Sequence, residues 1–194
     1  FPRNMTFDNY DWNFQPSLDV QYLKDLMELS FVVDHKPLLI LGKTGTGKTH
    51  IATSLGILAC KANFKVAFYS LQNLMTILYA SLADDTTDEL IAQLSRLDLL
   101  IIDNVGNLRP KPEYPSLLLD LVSSCQADTS FIVTSGISLE SWGNVLENPT
   151  ITMAIVDRLL HRAEIINFRK GLSYRTQGPH ASIVEPGEND DNGA

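Results

Sequence analysis

The chain has 194 residues, 44% of them hydrophobic and 20% charged, with a net charge of −8. That length suits one domain with a real core, and that composition excludes a disordered chain. The negative balance argues against binding nucleic acid through overall charge, and no apolar run is long enough to span a bilayer.

The first residue is Phe1 rather than methionine, so a missing upstream segment is the expectation. No signal peptide is visible, which makes a cytoplasmic protein the default. Residues 37–41, "PLLIL", read as a short buried strand that ends at a glycine loop. Residues 47–62 read as a helix, with Ile51, Leu55 and Leu58 on one face. "KVAFYS" at 65–70 is strand-like, and 71–82 is helical, with Leu71, Leu74, Met75 and Leu78 at helical spacing. After the acidic "DDTTDE", a helix runs to about Leu97. "LDLLIID" at 97–103 is apolar throughout, as a strand covered on both faces should be.

A proline-rich loop at 109–115 precedes a helix near 116–126 and the strand "SFIVTS" at 130–135. Helices near 138–147 and 149–162 and the strand "EIINF" at 164–168 follow. Strands separated by helices imply an α/β fold, with a parallel central sheet between helical layers. Cys60 and Cys125 lie in apolar helical contexts and read as buried free thiols. The last residues, 179–194, carry Glu185, Glu188, Asp190 and Asp191 without a basic residue, and read as an acidic disordered tail.

The chemistry centres on "GKTGTGKT", residues 42–49, which fits G-x-x-x-x-G-K-[ST]. The glycines let consecutive N–H groups converge on an anion, and the following helix adds the positive end of its dipole. Lys48 reaches the outer phosphates of ATP, and the Thr49 hydroxyl completes the shell of Mg²⁺. Gly42, Thr44, Gly45, Thr46, Gly47, Lys48, Thr49 and His50 are the expected nucleotide contacts. Asp103 closes an apolar strand, so its carboxylate lies where ligands of open α/β sheets bind. It is the second metal-holding residue beside Thr49.

With these motifs placed, the chain resembles a family. "TFDNYDWNFQPSLD" (6–19), "GKTGTGKTHIATSLG" (42–56), "LDLLIIDNVG" (97–106), "ESWGNVL" (140–146) and "AIVDRLLHRAEIINFRKGLSYR" (154–175) together look like IstB. That is the AAA+ ATPase encoded beside the transposase of a class of bacterial insertion sequences, kin to the DnaC-type helicase loaders. The likeness implies a three-layer P-loop NTPase of the AAA+ (ASCE) type over residues 1–178, with a small or absent lid. Residues 1–20 would be a linker contributing to the base pocket through Phe7, Tyr10 and Phe14. The likeness also implies a homo-oligomer with ATP at subunit interfaces, duplex DNA as ligand and a transposase as partner. A replicative helicase is the alternative partner.

Arg158 matches the arginine that reaches a neighbouring subunit's nucleotide, and Arg175 matches an arginine near the family's C-terminal end. Arg158 and Arg162 are four apart and are expected on one helix edge. Residues 157–175 have a local basic excess from Arg158, Arg162, Arg169, Lys170 and Arg175. Arg109 and Lys111 in the loop after Asp103 are the other candidates for DNA contact.

Two positions depart from the family. The residue after its metal-binding aspartate is usually a water-orienting glutamate; here it is Asn104, which cannot act as a base. The fourth strand usually ends in an asparagine; here Gly136 has no side chain, with Thr134 and Ser135 as candidate substitutes. Slow or absent ATP hydrolysis follows, and a non-hydrolysing ATP-binding scaffold is the rival reading.

Overall fold

Apolar residues on successive positions of one strand point to opposite faces, so a strand buried on both sides must feed two cores. Strand β3 (Leu99–Val105) does this. The computed structural model describes residues 1, 5–168 and 171–174. In it Leu99 and Ile101 join one cluster and Leu100 and Ile102 the other.

Five parallel strands form a single sheet in the order β2-β3-β4-β1-β5. They are β1 (Leu38–Gly42), β2 (Val66–Ser70), β3, β4 (Ser130–Ser135) and β5 (Glu164–Phe168). β4 separates the strand leading to the glycine loop from the strand carrying Asp103, and all six of its residues are buried. Helices α1 (Val20–Met27), α2 (Ser30–Val33) and α3 (Lys48–Lys61) supply the core on one face. Helices α4 (Leu71–Ser81), α5 (Thr87–Leu94), α6 (Tyr114–Cys125), α7 (Trp142–Leu146) and α8 (Pro149–Leu160) supply the other. The result is the expected three-layer α/β architecture.

Several local signals explain the element ends. Asp19 accepts a hydrogen bond from the Tyr22 N–H and caps α1, while Asn148 accepts one from Ile151 and caps α8, with Pro149 at its first turn. Ser70 caps α4 in the same way. Helix α6 starts at Tyr114, inside the loop expected at 109–115, because Pro115 is tolerated in a first turn. The segment 138–147 is a 3₁₀ turn at Leu139–Ser141 running into α7, rather than one helix. The short helices α1 and α2 stand between the expected linker at 1–20 and the first strand, where no helix is expected from the sequence.

Two expectations are corrected. Cys125 is buried, but Cys60 is exposed. Residue 60 is in the last turn of α3, where the buried face has already passed through Leu55 and Ala59. Burial pushes the Cys125 thiol up to about 11, which keeps it protonated and shielded. An aqueous disulfide reagent at neutral pH is therefore expected to label Cys60 alone in the native chain, and Cys125 only after unfolding. The second correction concerns Arg162. Helix α8 ends at Leu160, His161 is an extended cap, and Arg162 sits in a turn at φ 59°. It does not share a helix edge with Arg158.

The acidic tail expected at 179–194 lies outside the described residues, as do Arg169, Lys170 and Arg175. Among the described residues no helix is long and apolar enough to cross a membrane.

Candidate nucleotide-binding site

The C-terminal ends of β1, β3 and β4 open into a cavity of about 840 Å³. Thr44 to His50 form one wall, and Asp103, Asn104, Thr134 and Gly136 another. Tyr10, Phe14 and Tyr174 lie at its rim.

The loop after β1 curls because glycines occupy positions that other residues avoid. Gly45 and Gly47 have φ of 84° and 93°, and Gly47 caps the start of α3. The Thr46 hydroxyl donates to the Lys43 carbonyl at 2.9 Å and tightens the turn. Lys48, only 8% exposed, donates from Nζ to the same carbonyl at 2.8 Å. Its ammonium is thereby folded over the loop whose N–H groups and helix dipole already favour an anion.

Opposite the loop, β3 slips register against β4 between Ile102 and Val105, and Asn104 takes a left-handed φ of 66°. Such bulges re-aim side chains beside sites. Here Asp103 is brought to the loop. The Thr49 hydroxyl donates to its Oδ1 at 2.9 Å and lies 3.2 Å from Oδ2. The Thr134 hydroxyl donates to Oδ1 at 2.6 Å and accepts from the Asn104 N–H at 2.9 Å. A hydroxyl touching a carboxylate at the mouth of a phosphate cradle is an all-oxygen donor set, which suits Mg²⁺.

Of the two candidate substitutes on β4, only Thr134 belongs to this cluster. Ser135 is buried elsewhere, donating to Val105 and Ile137 carbonyls and accepting from Trp142 Nε1. The Asn104 side chain is exposed at the cavity. At Gly136 a Cβ would meet nothing closer than Thr44 Oγ1 at 3.9 Å.

His50 turns to the N-terminal segment: its Nε2 lies 2.8 Å from the Thr6 carbonyl, and its ring meets Tyr10 edge-on at 5.2 Å. Phe7 stacks on Trp12 and packs edge-on against Tyr10. Tyr10 is 9% exposed, and its hydroxyl has no hydrogen-bond partner among the described residues. Burial, reinforced by the Asp11 charge, pushes the phenol up to about 12. A buried donor without a partner costs about 1–3 kcal/mol. Tyr10→Phe is expected to raise the melting temperature of the nucleotide-free chain by about 2–4 °C per kcal/mol recovered. Thermal unfolding checks this.

Arg158 is not at this cavity. It lines a separate one of about 340 Å³ with Pro37, Thr129 and Arg162. Pro37 and Thr129 immediately precede β1 and β4, so Arg158 lies toward the N-terminal ends of these strands, the opposite end from the glycine loop. Its Nη1 donates to the Ala154 carbonyl at 3.0 Å. Lys111 rests 3.5 Å over the Tyr79 ring, and the Arg109 N–H is held by Gln72 Oε1 at 2.8 Å. The sequence reading also passed over Gln15, which is buried against the loop and donates to the Thr46 carbonyl at 3.1 Å.

The model of the IstB-like ATP binding protein family matches residues 1–182. This chain belongs to that family. An ATP-binding protein of insertion sequence IS232 from Bacillus thuringiensis subsp. berliner is 34% identical over 175 residues, covering 90% of this chain and 70% of the relative. One from an IS21-like element of Bacteroides fragilis is 35% identical over 176 residues, covering 91% and 66%. The IS21 protein of Pseudomonas aeruginosa is 34% identical, covering 88% and 64%. The IstB-like chain thus spans about two thirds of the length of these relatives.

Among solved structures, AMPPCP-bound DnaA of Aquifex aeolicus superposes with a TM-score of 0.70 at 18% identity, over 90% of this chain and 52% of DnaA. The DnaC helicase loader superposes with a TM-score of 0.62 at 18% identity, over 85% and 97%. At such identity the likeness is one of fold alone, the same parallel sheet between helical layers. The resemblance read from residues 6–176 is therefore borne out, and ATP is the ligand that the family's description assigns.

Proposed function

We propose that this chain binds ATP·Mg²⁺ in the 840 Å³ cavity, assembles with copies of itself through that nucleotide, and engages duplex DNA on behalf of a transposase. The observation that carries the proposal is the contact of Thr49 with Asp103, at 2.9 Å, beside a glycine loop overlain by Lys48. Thr49 and Asp103 would hold the magnesium, which supplies charge neutralisation between the outer phosphates when bound. The loop amides and Lys48 grip the phosphates. Tyr10 and Phe14, at the rim, flank the space left for the base.

The place of Arg158 supports assembly. A five-residue parallel strand such as β1 is about 16 Å long, so Arg158 is a strand length from its own loop. An arginine there is out of reach of its own nucleotide, and in this reading it serves a neighbour's. Hydrolysis is slow in this reading. Asn104 offers an amide where a base is needed, Gly136 offers nothing, and Thr134 is committed to Asp103.

The test is assembly size by light scattering with and without ATP·Mg²⁺ and duplex DNA. Nucleotide is expected to enlarge the assembly and to strengthen a salt-dependent DNA affinity. Arg158→Ala is expected to abolish the enlargement while leaving the ATP affinity of the isolated subunit within about twofold, since the residue is remote from that subunit's cavity. A particle that stays the same size in all conditions overturns the proposal. Capture against a transposase and a replicative helicase separates the two partners.

A further inference from the structure

Two stretches far apart in the chain, residues 14–19 and 171–174, have no role in the phosphate contacts described above. In the fold they meet at the glycine loop. Gln15 is 5% exposed and makes three hydrogen bonds there. Its Nε2 donates to the Thr46 carbonyl at 3.1 Å and to the Leu172 carbonyl at 2.6 Å, and its Oε1 accepts from the Leu172 N–H at 3.0 Å. The amide cannot be turned round. Reversal would set two carbonyls against its oxygen and an N–H against its nitrogen.

The segment beyond is seated on the same loop. The Tyr174 N–H donates to the Gly45 carbonyl at 2.8 Å. A side chain at Gly45 would collide with Ser173 Oγ, and one at Gly171 would come within 2.8 Å of Thr46 Cγ2. Phe14 packs edge-on against Tyr174, with ring centroids 4.8 Å apart. The Thr46 and Gly45 carbonyls of the cradle are thus held by Gln15 and Tyr174, beside the cavity that Gln15, Phe14 and Tyr174 also line.

We infer that Gln15 is a positioning residue that staples the phosphate loop to residues 171–174, so that filling the loop with nucleotide is felt by the C-terminal segment. The inference rests on the nucleotide reading of the cavity. A phosphate drawn into the cradle fixes the peptide units of residues 44–47. The same peptide units carry the Gly45 and Thr46 carbonyls that hold Tyr174 and Gln15. Ordering these units therefore orders the partners of their carbonyls, and Arg175 follows one residue after the seated Tyr174 in the sequence.

The experiment is hydrogen exchange of the full chain with and without ATP·Mg²⁺, paired with calorimetric ATP titration, on wild type and Gln15→Met. Methionine keeps the length and packing but removes all three hydrogen bonds. Nucleotide is expected to slow exchange at the Leu172 and Tyr174 amides of the wild type. In Gln15→Met that protection disappears and ATP affinity falls about tenfold, because the nucleotide must then order the loop without its staple. A purely packing role would leave both readouts unmoved.

Equal ATP affinity in Gln15→Met with protection retained overturns the staple while the nucleotide reading stands. So does wild-type exchange at 172 and 174 that ignores saturating ATP·Mg²⁺, an arm that decides the matter even where the variant does not fold. A wild type that gives no heat with ATP·Mg²⁺ overturns the nucleotide reading and this inference with it.

Discussion

Asn104→Glu combined with Gly136→Asn is expected to raise ATP turnover by about 10²–10³-fold, the scale of one restored water- or charge-orienting group. The site has room for both. Asn104 is exposed at the cavity, and its backbone bonds, from its N–H to Thr134 and from the Asn107 N–H to its carbonyl, are kept by any residue. Gly136 has open space where a side chain would begin, with Thr44 Oγ1 the nearest atom at 3.9 Å. The opposing term is backbone strain. Position 104 has φ 66°, which asparagine tolerates better than glutamate, at a cost of about 1–2 kcal/mol. The gain is therefore placed at the level of one group, not two. A phosphate-release assay decides it. Wild-type turnover near 1 s⁻¹, already inside the ordinary enzyme range, would show that Asn104 and Gly136 are not limiting.

Lys48→Ala is expected to weaken ATP binding by roughly 10²-fold, from about 3 kcal/mol for charge-assisted contact with phosphate. The ammonium is nearly buried and lies against the Lys43 carbonyl, so it acts where water screens it least. Arginine does not rescue, because its planar fork cannot enter the space of a compact ammonium. Calorimetric titration measures the loss. An unchanged affinity would show that the cradle binds through its amides alone. The variant should still fold, since α3 keeps Ile51, Ala52, Leu55 and Ala59 buried.

Much of this site was legible in the chain because its parts are local. The cradle is eight consecutive residues, and glycine at 45 and 47 permits the same positive φ wherever the segment is placed. Asp103 could be placed because an apolar run that ends in a carboxylate exposes it at a strand's C-terminal end. The strands at 130–135 and 164–168 emerged at their expected limits because burial on both faces leaves an unbroken apolar signal at 130–135, and basic residues, Arg162 and Arg169, stand on either side of 164–168.

What escaped depends on partners distant along the chain. Cys60 and Ala59 are neighbours on one helix, yet one is exposed and the other buried, because only the docking of α3 on the sheet chooses the inward face. Arg162 left the helix because His161 adopts an extended conformation at its cap, which the charge spacing did not reveal. Thr134 became part of the metal-side cluster through a register slip between two strands, and no spacing along either strand announces a slip.

The glycine loop, the carboxylate and the alternation of strands and helices are properties of short stretches, decided by backbone sterics and the periodicity of apolar side chains. The seating of Gln15 on Thr46 and Leu172, residues 31 and 157 positions away, was settled by packing alone. A polar side chain carries no mark of which carbonyls it will meet. Its partners exist only once two cores have closed on either face of the sheet and brought both ends of the chain to the same loop.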